Sequence, residues 1–191
     1  MVLGRSGTVY SGWLDAPTPA FRHAVKQAAL DPFRGYANAL RDTLPDTVQV
    51  LDALHVVKLG TQALDEVRRR VQQEQLGRRG HRDGPLYRIR GPLRHGVEHL
   101  TDRQQARLTR HLAADDQRRG RVCLGQLPAT TGGLLRHRPR PAPARRRMAI
   151  AILDTFRTCP IPEIACLGRT LQAWCAQVLA YFDTQSDHRV D

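Results

Sequence analysis

Two short apolar stretches of the sequence each lead to an aspartate, and these two carboxylates are the side chains that could bind a metal ion. Residues 25–31 (VKQAALD) end in Asp31, and residues 48–54 (VQVLDAL) contain Asp52. Carboxylates can bind divalent cations, but an acid followed by proline is also typical of a helix N-cap. From these residues alone we expect Asp31 to cap a helix and Asp52 to end a strand.

The spacing of the cysteines does not indicate a zinc site. Cys159, Cys166 and Cys175 are separated by six and eight residues, which is not the spacing of zinc ligands. We therefore expect them, and Cys123, to be ordinary reduced thiols.

Composition and charge narrow the class of protein. The 191 residues include 30 Lys+Arg and 18 Asp+Glu, which gives a formal net charge of +12, and the basic residues are arginine except for Lys26 and Lys58. Guanidinium groups match phosphate geometry, so the excess indicates a nucleic-acid partner, although a GC-rich coding sequence would also raise the arginine count. Aromatic residues make up 5% of the chain, which argues against a stacking platform for bases.

The sequence carries no membrane or secretion signal. No apolar run approaches the roughly 18 residues needed to span a bilayer. Residues 1–10 lack the charged-then-apolar pattern of a signal peptide. We expect a cytoplasmic protein with no membrane association.

Helical periodicity covers most of the chain. Ser6 is expected to cap the first helix, and Thr101 and Gln104 form a predicted capping box. Trp13 and Trp174 are expected to be core anchors. The predicted helices span, in chain order, residues 6–16, 31–44, 55–75, 86–98, 101–114, 148–156 and 163–182.

Two stretches interrupt this periodicity. Residues 76–85 form a basic, turn-rich connection, and residues 120–147 are rich in Pro, Gly and Arg without an apolar period. The apolar stretches at 25–31 and 48–54 are typical of strands, although the first is also compatible with a helix. The alternation of two strands with several helices predicts an α/β fold that is predominantly helical. Two strands do not make an independently stable sheet, so either another chain supplies more strands or this chain is incomplete.

Three segments resemble a known family. Residues 30–73 closely resemble the transposases of the ISL-three insertion-sequence family, and the resemblance continues through residues 76–108. Residues 159–184 are similar to the segment just before that family's last catalytic acid. The resemblance is specific, because it follows a long local order of acid, strand, second acid, histidine and lysine.

The resemblance implies an incomplete ribonuclease-H-like domain of the DDE type with a helical insertion. Such domains hold two Mg²⁺ or Mn²⁺ ions between three carboxylates and use them in phosphoryl transfer on DNA. Asp31 matches the second acid and is the implied catalytic and metal-binding residue. Asp52, His55 and Lys58 match an Asp-x-Phe-His element and its lysine, with Leu54 in place of Phe, and they contact the metal or support the site.

The other two acids of such a centre have no counterpart here. In the family, the first acid lies upstream of the segment that matches residues 4–14. The late Glu follows the segment that matches residues 181–184, where this chain has QSDHRVD. The family's zinc-binding and helix-turn-helix regions are also missing. A centre with one of three acids is not expected to hold two ions, so we expect a truncated and inactive copy.

The aperiodic stretch fits either a frameshift or a flexible insertion. Residues 124–131 can be encoded so that a shift of one nucleotide gives an amphipathic, family-like helix, which predicts a frameshift that enters near Arg121 and is restored before Met148. The actual codons would test this. The expected organisation is a partial core at 1–54, a helical insertion at 55–119, the aperiodic segment at 120–147, C-terminal helices at 148–184 and a tail at 185–191.

Three functions are open at this point. The first is a transposase fragment, whose family cuts and joins DNA at insertion-sequence ends. The second is a non-catalytic basic DNA-binding or interaction protein. The third is an unrelated helical module that binds RNA or protein. The expected partners are DNA and either a second copy or an intact transposase. The candidate DNA contacts are Arg68, Arg69, Arg70, Arg78 and Arg79, although such a charge run is also typical of a solvated helix face.

Overall fold

The computed structural model describes residues 6–77, 84–94, 100–114 and 142–184. The chain divides into two compact units, the first made of residues 1–56 and 173–191 and the second of residues 57–172. The elements in chain order are α1 (Gly7–Asp15), α2 (Pro19–Ala24), β1 (Gln27–Leu30), α3 (Arg34–Thr43), β2 (Val48–Leu51), α4 (Ala53–Leu76), α5 (Pro85–Arg88), a 3-10 turn (Pro92–Arg94), α6 (Asp102–Ala114), α7 (Ala142–Arg157), α8 (Pro162–Ala173) and α9 (Cys175–Thr184). The described chain is therefore α/β and mostly helical.

The first unit is built on a parallel pair of strands. β1 and β2 pair in parallel, and α3 makes the crossover that a parallel connection requires. Gln27 lies opposite Val48, and Leu30 lies opposite Leu51. The two strands therefore end at the same edge.

Helices cover this pair and supply the core of the first unit. α9 packs against β2, and Val178 and Phe182 on α9 are buried. α1 packs against α3 so closely that a Cβ on Gly7 would lie 2.8 Å from the carbonyl oxygen of Gly35. Leu40 of α3 is buried at the centre of this unit. Burial of these apolar side chains stabilises a two-stranded sheet that would not stand alone.

The second unit is a set of helices around an apolar core. Its buried side chains include Val67, Leu153, Ile164 and Leu171. Gly168 of α8 is required for packing, because a Cβ there would lie 2.5 Å from the backbone nitrogen of Arg157 at the end of α7. None of the described helices combines the length and the apolar character needed to cross a membrane.

Two predicted helix caps are confirmed. The Ser6 hydroxyl accepts a hydrogen bond from the backbone N–H of Val9 at 3.2 Å. Thr101 and Gln104 form the capping box, since the Gln104 side chain accepts from the Thr101 N–H at 3.0 Å and the Thr101 hydroxyl accepts from the Gln104 N–H at 3.3 Å.

The expectation that Asp31 caps α3 is wrong. The N-cap of α3 is Phe33, and it makes no side-chain capping hydrogen bond. The Phe33 N–H instead donates to the carbonyl oxygen of Asp31 at 2.6 Å. This tight turn places the acid before the helix, where its side chain is free to meet residues of another element.

The prediction of a single helix over residues 163–182 is also wrong. The chain forms α8 and α9 with a break at Trp174. The apolar spacing continues across the break, and no proline or glycine marks it, so the sequence pattern hides it. Trp174 itself is buried, as expected, with the Arg34 guanidinium 4.4 Å from its ring centroid.

Three further expectations are corrected. A helix over residues 86–98 does not form in the described part, because the Gly91-Pro92 step separates α5 from a 3-10 turn. Residues 142–147, expected to be aperiodic, begin α7, while residues 120–141 lie outside the described ranges. Trp13 is not a core anchor, because 47% of its surface is exposed.

Candidate metal centre

The strand register brings Asp31 and Asp52 together. Leu30 and Leu51 are paired with each other and are the last residues of β1 and β2. Asp31 and Asp52, which follow them, therefore lie at the same edge of the sheet. The Asp52 N–H donates to the Leu30 carbonyl at 3.0 Å, which extends the ladder by one step. Two acids that are distant in sequence therefore become neighbours.

Asp52 also starts helix α4. Its carbonyl oxygen accepts the N–H of Val56 at 3.1 Å, and its Oδ1 accepts the N–H of Leu54 at 3.0 Å. These are the bonds of an N-cap, the role that the sequence had suggested for Asp31. The carboxylate is thereby held in one orientation, with Oδ2 left for a second partner.

That partner is His55, in the first turn of α4. The imidazole Nδ1 lies 3.1 Å from Asp52 Oδ2 and 2.8 Å from Asp31 Oδ1. Nδ1 shares a hydrogen bond with Asp52 Oδ2, and its contact with Asp31 Oδ1 is a short ion-pair distance. One ring nitrogen thus lies against two carboxylates, and the exposed fraction of the three side chains ranges from 32% for His55 to 51% for Asp31.

The three side chains form a donor set of suitable size for a metal ion. One ligand atom from each of Asp31, Asp52 and His55 lies within 4.8 Å of the other two. Among the described residues, His55 is the basic side chain that lies within ion-pair distance of both carboxylates, and no guanidinium or ammonium group pairs with them there. Two carboxylate oxygens suit Mg²⁺ and Mn²⁺, and Mn²⁺ also accepts an imidazole nitrogen. Partial exposure leaves room for water ligands, so the residues present fit one divalent cation.

Lys58 and the candidate DNA-contact arginines do not join this cluster. Lys58 is exposed on α4, three residues beyond His55 and in the second unit. Arg69 is exposed as well. Arg78 and Arg79 lie outside the described residues.

Arg68 and Arg70 are engaged within the second unit. Arg68 is buried and donates to Asp65 at 3.3 Å and to Gln72 at 2.8 Å, so its assignment to a solvated face is wrong. Arg70 donates to both carboxylate oxygens of Glu163, at 2.6 and 3.1 Å, and to Glu74 at 3.0 Å. Such a fork joins α4 to α8.

The Arg70–Glu163 pair shifts both pKa values. Burial raises the pKa of Glu163, but the hydrogen bonds and the charge of Arg70 outweigh it, so the pKa lies below its ordinary value. The hydrogen bonds to Glu163 and then to Glu74 raise the pKa of Arg70. Both groups remain charged near neutral pH and act as a structural link.

The comparisons with known proteins point to one family. A family model described as a transposase, that of the DDE-type ISL-three proteins, matches residues 1–188. Neither the curated proteins nor the solved structures provide a match.

Proposed function

The chain belongs to the DDE-type transposase family of the ISL-three insertion sequences, and from this premise we propose that it binds DNA and one divalent cation, Mg²⁺ or Mn²⁺. The ligands are the carboxylates of Asp31 and Asp52, with His55 beside them. The observation that carries the proposal is their convergence: one ring nitrogen lies within 3.1 Å of both carboxylates.

The roles of the three side chains follow from their contacts. Asp52 is the more firmly held ligand, because it is anchored to the N-terminus of α4 by the Leu54 N–H. Asp31 is the more exposed, with 51% of its side chain open to solvent. His55 Nδ1 hydrogen-bonds Asp52 and lies 2.8 Å from Asp31. A bound cation supplies Lewis-acid stabilisation of charge on a DNA phosphate.

We further propose that the first unit is part of a ribonuclease-H-like core and that the chain from residue 57 of α4 to residue 172 of α8 forms a helical insertion in it. The parallel β1–α3–β2 arrangement supports the core assignment. The division of the chain supports the insertion, since the first unit combines residues 1–56 with residues 173–191, and the second lies between them in sequence. The chain leaves the first unit and returns to it, as an insertion requires.

The third part of the proposal is that these 191 residues do not cleave DNA by themselves. Asp31 matches one of the three acids of the family, and the sequence contains no match to the other two. Groups that act as a unit lose most of their joint effect when members are missing. We therefore expect cation binding without strand cleavage.

Titration with Mn²⁺, followed by electron paramagnetic resonance, tests the cation site. We expect one bound ion and a loss of at least about tenfold in affinity for Asp31→Asn, since even residues that only orient ligands contribute that much. Asp42→Asn is the matched control, because Asp42 is an exposed acid paired with Arg41 on α3. Equal Mn²⁺ affinity in the wild type and Asp31→Asn would contradict the site.

A plasmid-nicking assay with Mn²⁺ tests the third part. We expect the wild-type chain to nick supercoiled DNA no faster than Asp31→Asn. Nicking by the wild type that Asp31→Asn abolishes would show that the chain is a competent nuclease.

A second candidate function is supported by the net charge of +12. A non-catalytic DNA-binding protein would bind phosphates without sequence preference, and its affinity would fall steeply with salt. Arg69, the exposed member of its arginine run, is the residue to replace first. A preference for RNA over DNA of the same sequence would argue against both candidates.

A further inference from the structure

Four aromatic side chains of the first unit form a continuous row. Phe33 meets Tyr36 edge-on, with ring centroids 4.9 Å apart, and Tyr36 lies 5.0 Å from Tyr10. Tyr10 stacks on Trp13 at 5.9 Å, with the ring planes inclined by 13°. We call this set the aromatic row. It concentrates aromatic residues that are scarce in the chain as a whole, so the low aromatic content does not exclude a stacking surface.

The two ends of the row are open to solvent. Phe33 is 45% exposed and Trp13 is 47% exposed, while the tyrosines between them are partly buried. Burial raises the pKa of Tyr10, and the neighbouring Tyr36 raises it further. The middle of the row is thus withdrawn from water, and its ends present ring surface outward.

The Phe33 ring is positioned without being buried. A Cβ at Gly35 would collide with this ring, so the ring rests where only glycine leaves room. Glycine inside a helix is destabilising relative to alanine, and here it leaves space for a ring that is 45% exposed. An exposed ring of this kind offers a face for contact with a ligand.

The row begins beside the carboxylate cluster. Phe33 follows Asp31 by two residues, and its N–H donates to the Asp31 carbonyl at 2.6 Å. This short turn ties the position of the Phe33 backbone to that of the acid. The backbone of the first residue of the row therefore lies next to a residue of the cluster.

We propose that the aromatic row is a stacking surface for unpaired bases of a DNA strand whose backbone passes the cluster of Asp31, Asp52 and His55. Every base has a planar face that stacks on aromatic rings, whatever its sequence. The net charge of +12 attracts a polyanion and repels a second copy of the chain, which favours DNA over self-association. The proposal rests on the proposed function in that DNA is the substrate.

Binding of a fluorescent oligothymidylate in EDTA tests this surface independently of any cation. We expect Phe33→Ala and Trp13→Ala each to lower the affinity by roughly 5- to 100-fold, the range typical of a lost base–aromatic stack. Trp13→Phe keeps an aromatic face and should retain most of the affinity. An abasic oligonucleotide of the same length should bind all four proteins equally, because it offers phosphates but no bases.

Intrinsic fluorescence gives a second readout. The chain has two tryptophans, and Trp174 is buried, so stacked bases should quench mainly Trp13. Quenching by oligothymidylate should be lost in Trp13→Phe and should not occur with the abasic strand. Retained cooperative thermal unfolding of each variant confirms that it folds.

The possible outcomes separate the two proposals. If Mn²⁺ binds at the cluster but neither alanine variant weakens binding of oligothymidylate, the stacking surface is wrong and the cation site stands. If the alanine variants weaken binding only of oligonucleotides with bases while Mn²⁺ does not bind, the stacking surface stands and the cation site fails. Concentration-dependent dimerisation that Trp13→Ala abolishes would reassign the row to self-association and overturn the proposal.

Discussion

Each unit places basic side chains beside carboxylates, but the two units differ in how the carboxylates are contacted and how far they are exposed. In the second unit, Glu163 is 15% exposed and is held at both oxygens by the guanidinium of Arg70. In the first unit, Asp31 and Asp52 are 51% and 35% exposed and share one nitrogen of His55. We call Arg70 and Glu163 the closed pair, because both carboxylate oxygens are hydrogen-bonded. We call Asp31, Asp52 and His55 the open cluster, because its carboxylates are more exposed.

The difference lies in the basic partner. A guanidinium has five donors and a permanent charge, so it occupies a carboxylate fully and leaves it inert. The imidazole of His55 hydrogen-bonds one carboxylate through Nδ1 and only lies close to the other, so carboxylate oxygens remain available. The comparison indicates that the Arg70–Glu163 pair stabilises the fold, whereas the Asp31, Asp52 and His55 cluster is suited to a ligand.

The largest loss of stability should come from breaking the closed pair. Glu163→Gln removes the charge and weakens a forked, charge-assisted hydrogen bond, so we expect the free energy of unfolding to fall by about 2 kcal/mol in urea denaturation. Glu74→Gln is the matched control, because it contacts the same Arg70 from a 59% exposed position and should cost under about 0.5 kcal/mol. Equal losses of unfolding free energy for the two variants would show that the forked hydrogen bond stabilises the protein no more than the exposed contact with Glu74.

Replacing Asp52 should separate capping from ligand binding. Asp52→Ala removes the cap of α4 and should cost about 1 kcal/mol, while Asp52→Asn keeps a capping oxygen and should cost only a few tenths. Both variants lose the carboxylate charge and should bind Mn²⁺ more weakly. Full Mn²⁺ affinity in Asp52→Asn would remove Asp52 from the ligand set.

Acidification should weaken the closed pair by a smaller amount. The pKa of Glu163 is lower in the folded chain than its ordinary value of 4.5, so its contribution is present above the unfolded pKa and is lost as the pH falls through the folded pKa. Wild-type stability should therefore decline more steeply below about pH 4.5 than that of Glu163→Gln. Urea unfolding of both proteins at several pH values measures this, and parallel declines would contradict the assignment.

The smallest effect on stability should come from the open cluster. Asp31→Asn loses a half-exposed contact with His55 but also relieves repulsion from Asp52, so the free energy of unfolding should change by less than about 0.5 kcal/mol. Circular dichroism during urea denaturation checks this. A loss comparable to that of Glu163→Gln would mean that the cluster is structural.

Much of the local structure could be predicted from the sequence. The caps at Ser6 and Thr101 depend on residues three positions apart, and the structure confirms both. The break at Trp174 could not be predicted, because the apolar period continues through it. Trp13 was expected to be buried, since size and apolarity do not reveal whether a neighbouring element covers a ring.

Residue types and spacing by themselves determined the two strand-forming segments, most of the helices and the basic character of the chain. These depend on local periodicity, capping and charge. Only the tertiary structure decided which of these residues lie together. The register of β1 against β2 places Asp31 beside Asp52, and the close approach of α1 and α3 places Tyr10 against Tyr36. Such contacts join residues that are distant in sequence, and no local pattern specifies them.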